Sequence, residues 1–168
     1  MQWSPPAQGS YKVNVDGAVF TKRQQMGIGV IIRNDRGEVI AAMSKRMAVP
    51  LGALETEAKA METAVRFAAN VGIRDAIFEG DSLTIYNALH GLSSPSAAIQ
   101  NIVTSILRQA QSFRTFAFSH IKQQGNVPAH VLAQHACNVD DYVTWLEECP
   151  SQIVSACAQD VRVSHASE

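Results

Sequence analysis

The sequence predicts an α/β domain: a mixed five-stranded sheet, antiparallel in its first three strands, with helices packed on it. Three observations carry this. Residues from Tyr11 to Lys45 read as three short strands joined by short polar connections, which makes an antiparallel meander. From Leu54 onward the apolar spacing changes to a helical period. Beyond that helix, short apolar strands alternate with helical stretches, and a helix between strands implies a parallel crossover.

Taken in order, "MQWSPPAQGS" is rich in Pro and Gly and reads as an extended lead-in over residues 1–10. The strands follow at about Tyr11–Phe20, Gly27–Asn34 and Glu38–Lys45, with "NDRG" (Asn34 to Gly37) as the tight turn of the second hairpin. Leu54, Ala58, Met61, Val65 and Ala68 form the apolar stripe of the first helix. Glu55–Lys59 and Glu62–Arg66 are expected as ion pairs on its solvated face. "DAIFEGD" is a fourth strand, and Ser82 caps the helix after it. A further helix spans about Ala97 to Gln111, and "RTFAFSHI" is the fifth strand. The last helix opens near Asn126 and Pro128, with Leu132, Ala136, Val139 and Val143 as its stripe. Residues 11–148 then form the domain, and 149–168 a polar tail expected to fray after Asp160.

Composition narrows the class. At 168 residues, 46% hydrophobic and 17% charged, the chain suits one soluble domain with a real core. A net charge of −1 does not advertise nucleic-acid binding, which would need a local basic patch. Three cysteines without a C-x-x-C pair argue against a disulfide framework or zinc knuckle. They read as small buried hydrophobes in a reducing, intracellular setting. There is no secretory signal and no apolar run of membrane-spanning length. A monomer is expected.

Three acids sit where a folded chain avoids them. Asp16 lies in the first strand, which the predicted sheet makes central. Glu57 falls beside the apolar stripe, while Glu55 and Glu62 face water by the same helical count. Asp81 closes the fourth strand, at the strand end where open α/β sheets build their sites. Singly, each has an ordinary reading: a turn at Asp16-Gly17, a boundary residue at Glu57, an extra cap at Asp81. Together they can converge at one sheet edge, where their repulsion calls for a hard divalent cation bound through oxygen.

"NVDGA", "GIGVIIRNDRGEVIAA", "ETEAKAMETAV", "FEGDS" and "NVPAHVLAQHA", in this order, resemble the type 1 ribonuclease H domain, and most of all its plant and retroelement-like branch. The resemblance runs from about Trp3 to Trp145. It implies a ribonuclease H-like fold and an endonuclease that cleaves the RNA strand of RNA–DNA hybrids with two Mg²⁺ ions, one activating the attacking water and the other stabilising the departing 3′ oxygen. It also implies that Asp16, Glu57 and Asp81 are the first three of four catalytic acids. Asp16 would bridge both ions, and Glu57 would lie near the 2′-hydroxyl that distinguishes RNA from DNA.

The fourth acid departs from the family pattern. Four residues after Asn126 stands His130, not Asp. The first helical turn disfavours imidazolium, and neutral imidazole ligates divalent metal, suiting Mn²⁺ better than Mg²⁺. His130 is therefore expected as a catalytic metal ligand, with a non-ligand His beside a weakened site, or a plain surface His, as alternatives. "IKQQGN" leaves no room for the flexible His loop of many relatives, and His120 reads as structural. No basic protrusion is evident, so substrate contact falls to scattered residues. Lys22 and Arg23 are expected on phosphate and Thr56 in the groove, while Arg33, Arg36, Lys45, Arg46 and Lys122 read mostly as solvated charges. Two other functions stay open: a ribonuclease H-like module that binds nucleic acid with little or no cleavage, and a structural remnant of a retroelement reading frame.

Overall fold

The computed structural model describes residues 2–48 and 52–167; Met1 of the lead-in and Glu168 of the tail lie outside them. Among the described residues the elements run β1 (Tyr11–Phe20), β2 (Gln25–Arg33), β3 (Val39–Met47), α1 (Ala53–Val71), β4 (Asp75–Gly80), α2 (Leu83–Leu89), α3 (Gln100–Ala110), β5 (Thr115–His120), α4 (Val127–His135), β6 (Tyr142–Leu146) and α5 (Val154–Ala166). The sheet has six strands in the order β5-β4-β1-β2-β3-β6.

The meander forms as the sequence indicates. β1 and β2 pair antiparallel, as do β2 and β3, and the second turn is closed by Asn34. Its Oδ1 accepts from the backbone N–H groups of Arg36 and Glu38 at 3.0 and 2.9 Å. Such Asx hydrogen bonding is why Asn favours turns. After α1, β4 lies parallel to β1, and β5 lies parallel to β4. This makes β1 central.

The five-strand expectation is corrected by β6. Val139 and Val143 do not continue the last helix: α4 stops at His135, and Tyr142–Leu146 pairs antiparallel with β3, Ala41 opposite Leu146. The segment "YVTWL" has the β-branched and aromatic content of a strand, which the helical count over-rode. The segment after it also differs from the expected fraying tail. It folds as α5, continuous to Ala166, with Cys157 and Asp160 buried.

Helices cover both faces of the sheet. Val13, Val15, Ile28, Val30 and Ile32 point toward α1, α2 and α3, meeting Ala58, Met61, Val65, Ile85, Val103 and Ile106 in the main core. On the other face a smaller cluster joins Ile31 and Ala42 to Ala129 and Leu132 of α4 and Cys157 of α5. The two-residue period of β2 divides its side chains between these cores. On α1, Glu62 is buried rather than solvated, 2.7 Å from Lys59 and 4.0 Å from Arg66. The expected partner of Lys59, Glu55, is thus replaced by Glu62 one turn onward.

Candidate metal centre

Asp16 sits on β1 and is only 4% exposed. Its register partner on β2 is Gly29. A Cβ at Gly29 would lie 2.2 Å from the Ala129 carbonyl and 2.4 Å from the Ala133 nitrogen. Only glycine lets α4 approach β2 this closely, and that approach carries His130 over Asp16.

Glu57 arrives from the other face, on the first turns of α1. Gly17 permits this: a Cβ there would meet Thr56 Cγ2 at 2.8 Å. The Gly17 N–H donates to Glu57 Oε1 at 3.3 Å. Asp81 directly follows β4, whose parallel pairing with β1 brings its C-terminal end to the edge occupied by Asp16. Asp16, Glu57 and Asp81 each offer an oxygen within 4.8 Å of the others.

Such crowding has an electrostatic consequence. Burial, followed by the charges of Asp16 and Asp81, pushes Glu57 up to about 9 from its ordinary 4.5. Burial and then Asp16 also raise Asp81. Like charges this close resist simultaneous ionisation, and a dication relieves the conflict. An all-oxygen donor set suits a hard divalent ion such as Mg²⁺ or Mn²⁺, so these residues fit the metal that the sequence implies.

His130 stands beside this trio rather than within it, its side chain 37% exposed. Its Nδ1 lies 2.8 Å from Asp16 Oδ2. An ionised carboxylate only accepts, so opposite an ionised Asp16 this contact calls for the proton on Nδ1. The start of α4 is pinned to β1 by Asn126. Its Nδ2 donates to the Val15 carbonyl at 2.9 Å, and its Oδ1 accepts from Asn14 Nδ2 at 3.2 Å. The His130 N–H in turn donates to the Asn126 carbonyl at 3.1 Å. His120 Nε2 lies 3.2 Å from the Asp81 carbonyl, at the end of β5.

The other expected site residues are placed less uniformly. Lys22 and Arg23 are exposed on a single 3₁₀ turn between β1 and β2, and Arg23 Nη1 donates to the Cys137 carbonyl at 3.1 Å. Thr56 is 1% exposed with an unpartnered hydroxyl, so in this conformation it packs on Gly17 and offers nothing to a groove. Arg33 is corrected outright: it is fully buried, not solvated.

Sequence reasoning missed the group around Arg33. Its Nη1 donates to Asp160 Oδ2 of α5 at 2.8 Å, and its guanidinium stacks 4.1 Å from the Trp3 ring centroid. Lys12 lies 3.6 Å from Glu79, and both are buried. The signal was present in "KVNVD", where Lys12, Asn14 and Asp16 alternate with Val13 and Val15. A polar face of period two reads as solvent-facing unless a second layer of helices covers it.

A family profile described as reverse transcriptase-like matches residues 14–136. The chain belongs to that family. Among curated proteins, none matches the sequence. Solved structures similar to this family member include RNase H1 from the halophilic archaeon Halobacterium salinarum NRC-1, at 19% identity and a TM-score of 0.72, covering 77% of this chain and 98% of that one. LC11-RNase H1 in complex with an RNA/DNA hybrid matches at 18% identity and TM-score 0.69, over 76% of this chain and 96% of its own. The N-terminal RNase H domain of a Mycobacterium tuberculosis protein matches at 17% identity and TM-score 0.69, over 77% and 94%. The fold is therefore ribonuclease H-like. Among the described residues, no helix is long and apolar enough to cross a membrane.

Proposed function

We propose that this protein is a metal-dependent endonuclease that hydrolyses the RNA strand of RNA–DNA hybrids, a type 1 ribonuclease H of the plant or retroelement-like branch. The observation that carries this reading is the convergence of Asp16, Glu57 and Asp81 within 4.8 Å at the edge of a ribonuclease H-like sheet. The hybrid bound by LC11-RNase H1 supports the substrate class.

Two Mg²⁺ ions, with Mn²⁺ as an alternative, would supply Lewis-acid activation of water and stabilisation of the leaving 3′ oxygen. Asp16, Glu57 and Asp81 would hold them, Asp16 shared between the two ions and Glu57 and Asp81 mainly holding the ion that stabilises the leaving group. His130, with Nδ1 held by Asp16, keeps Nε2 available to bind metal or take a proton. The exposed Lys22 and Arg23 are candidates for phosphate. Thr56 joins them only if α1 shifts to expose it. The protein is read as an intracellular monomer.

A second reading rests on one observation. His130 lies outside the carboxylate trio and removes one negative charge from the family's fourth position. A site so altered could hold a hybrid and cleave it weakly or not at all. Cleavage of an end-labelled hybrid in Mg²⁺, in Mn²⁺, and by the Asp16→Asn variant separates the two. Product from the wild type alone supports the nuclease. A tight complex without product in either metal supports the binding module.

A further inference from the structure

The family profile begins at residue 14 and ends at residue 136, yet Trp3 and Asp160, both outside it, are hydrogen-bonded to Asn14 and Arg33 within it. We propose that Trp3 of the lead-in and Asp160 of α5 are positioning residues for His130, acting through a polarised chain of buried amides. The inference deepens the functional reading above and rests on it for its catalytic consequence.

The chain starts from donors. Trp3 Nε1 donates to Asn14 Oδ1 at 3.1 Å, and Arg33 Nη2 donates to the same oxygen at 3.3 Å. Indole and guanidinium groups carry no acceptor, so they accept only one orientation of the Asn14 amide, oxygen toward them. Its Nδ2 then faces the opposite way, where it donates both to the buried Glu79 Oε1 at 3.0 Å and to Asn126 Oδ1 at 3.2 Å. That orients the second amide: Asn126 Nδ2 is left to donate to the Val15 carbonyl, one residue before Asp16. Asn126 is the residue that precedes α4, and its carbonyl receives the N–H of His130.

Asp160 holds the head of this chain. It fixes Arg33 Nη1 at 2.8 Å, and Trp3 covers the guanidinium face. Asn14 is fully buried and Asn126 is 1% exposed, so no water competes for these bonds. A buried polar network specifies one geometry, and losing a donor at its head loosens the hold on the amides that follow. The geometry at stake is the contact between His130 and Asp16.

The test uses full-length, ring-¹⁵N-histidine-labelled protein without metal or hybrid. Trp3→Phe keeps the ring on Arg33 and removes one donor; Asp160→Asn keeps an oxygen and removes the charge. Val103→Ala, in the core under α3, controls for stability. The expected result is that the hydrogen-bonded Nδ1–H signal of His130 weakens or shifts in the first two variants and stays in the third at matched urea midpoint. In the cleavage assay kcat falls roughly three- to tenfold with KM unchanged, the scale of one lost hydrogen bond. Wild-type His130 signals in both variants, or signal loss that merely tracks the urea midpoint in all three, would overturn the proposal. Absence of cleavage by the wild type would instead remove the nuclease reading, while the ring signal still decides this one.

Discussion

Replacing Glu57 by Gln is expected to stabilise the metal-free protein at neutral pH, by an amount that grows with pH. Burial and two neighbouring carboxylates raise Glu57 to about 9, against an ordinary 4.5. Between those values the folded state keeps a proton that the unfolded chain has released. The stability associated with neutral Glu57 is therefore complete below 4.5 and is lost as pH rises toward 9. The limiting slope is about 1.4 kcal/mol per pH unit. From about pH 5.5 to about pH 7.5 the ceiling is roughly 3 kcal/mol, and water at this half-buried side chain lowers the expectation to about 1–2 kcal/mol. Urea unfolding in chelator, followed by circular dichroism at the two pH values, measures the difference between wild type and Glu57→Gln. Subtracting the variant isolates Glu57 from Asp81 and Asp160, which burial also raises. A difference that stays flat, or favours the wild type more as pH rises, would refute the electrostatic account of the site. Adding Mg²⁺ or Mn²⁺ should restore the wild type and leave Glu57→Gln less affected, since an ion that binds only the folded state stabilises it.

Three further outcomes are expected. Asp16→Asn lowers hybrid cleavage by at least roughly a hundredfold, the scale of losing an electrostatic stabiliser, while its urea midpoint in chelator equals or exceeds that of the wild type. Gly29→Ala places a methyl group against the α4 backbone and costs about 3 kcal/mol or more; the urea midpoint reads it, and an unchanged midpoint would mean that α4 can retreat. Burial pushes the Cys157 thiol up to about 12, so at about pH 8 only roughly one such thiol in ten thousand is ionised. Iodoacetamide followed by mass spectrometry should therefore label half-buried Cys137 at least about a hundredfold faster than Cys157 in folded protein.

Where local patterning and tertiary placement agreed, the sequence was readable. The turn at Asn34, the cap at Ser82, the apolar stripe of α1 and the central position of β1 follow from spacing and side-chain chemistry alone. The proximity of Asp16, Glu57 and Asp81 follows as well, because a parallel β4 brings its end to that edge. What failed did so for a shared reason. Arg33, Glu62 and Asp160 are charged residues that periodicity assigns to solvent, and each is buried against a partner distant in sequence or on the next helical turn. Hydropathy does not record partners. Tyr142–Leu146 was misread because a short segment of Val, Thr and Trp fits either period until β3 offers it an edge. The His130 contact with Asp16 depends on how far α4 sinks onto β2, and Gly29, which sets that distance, announces it only once the helix is in place.

The pairing of Arg33 with Asp160 also orders events on the ribosome. The two residues are separated by 127 positions, so a nascent chain exposes the guanidinium long before its carboxylate exists. β3 likewise waits for β6, since Ala41 pairs with Leu146. Until then the meander carries an open edge and an uncompensated charge that cannot enter the interior, and it is held in a partly solvated form prone to association. Vectorial synthesis thus leaves Arg33 without Asp160, and the edge of β3 without β6, until the last quarter of the chain has emerged.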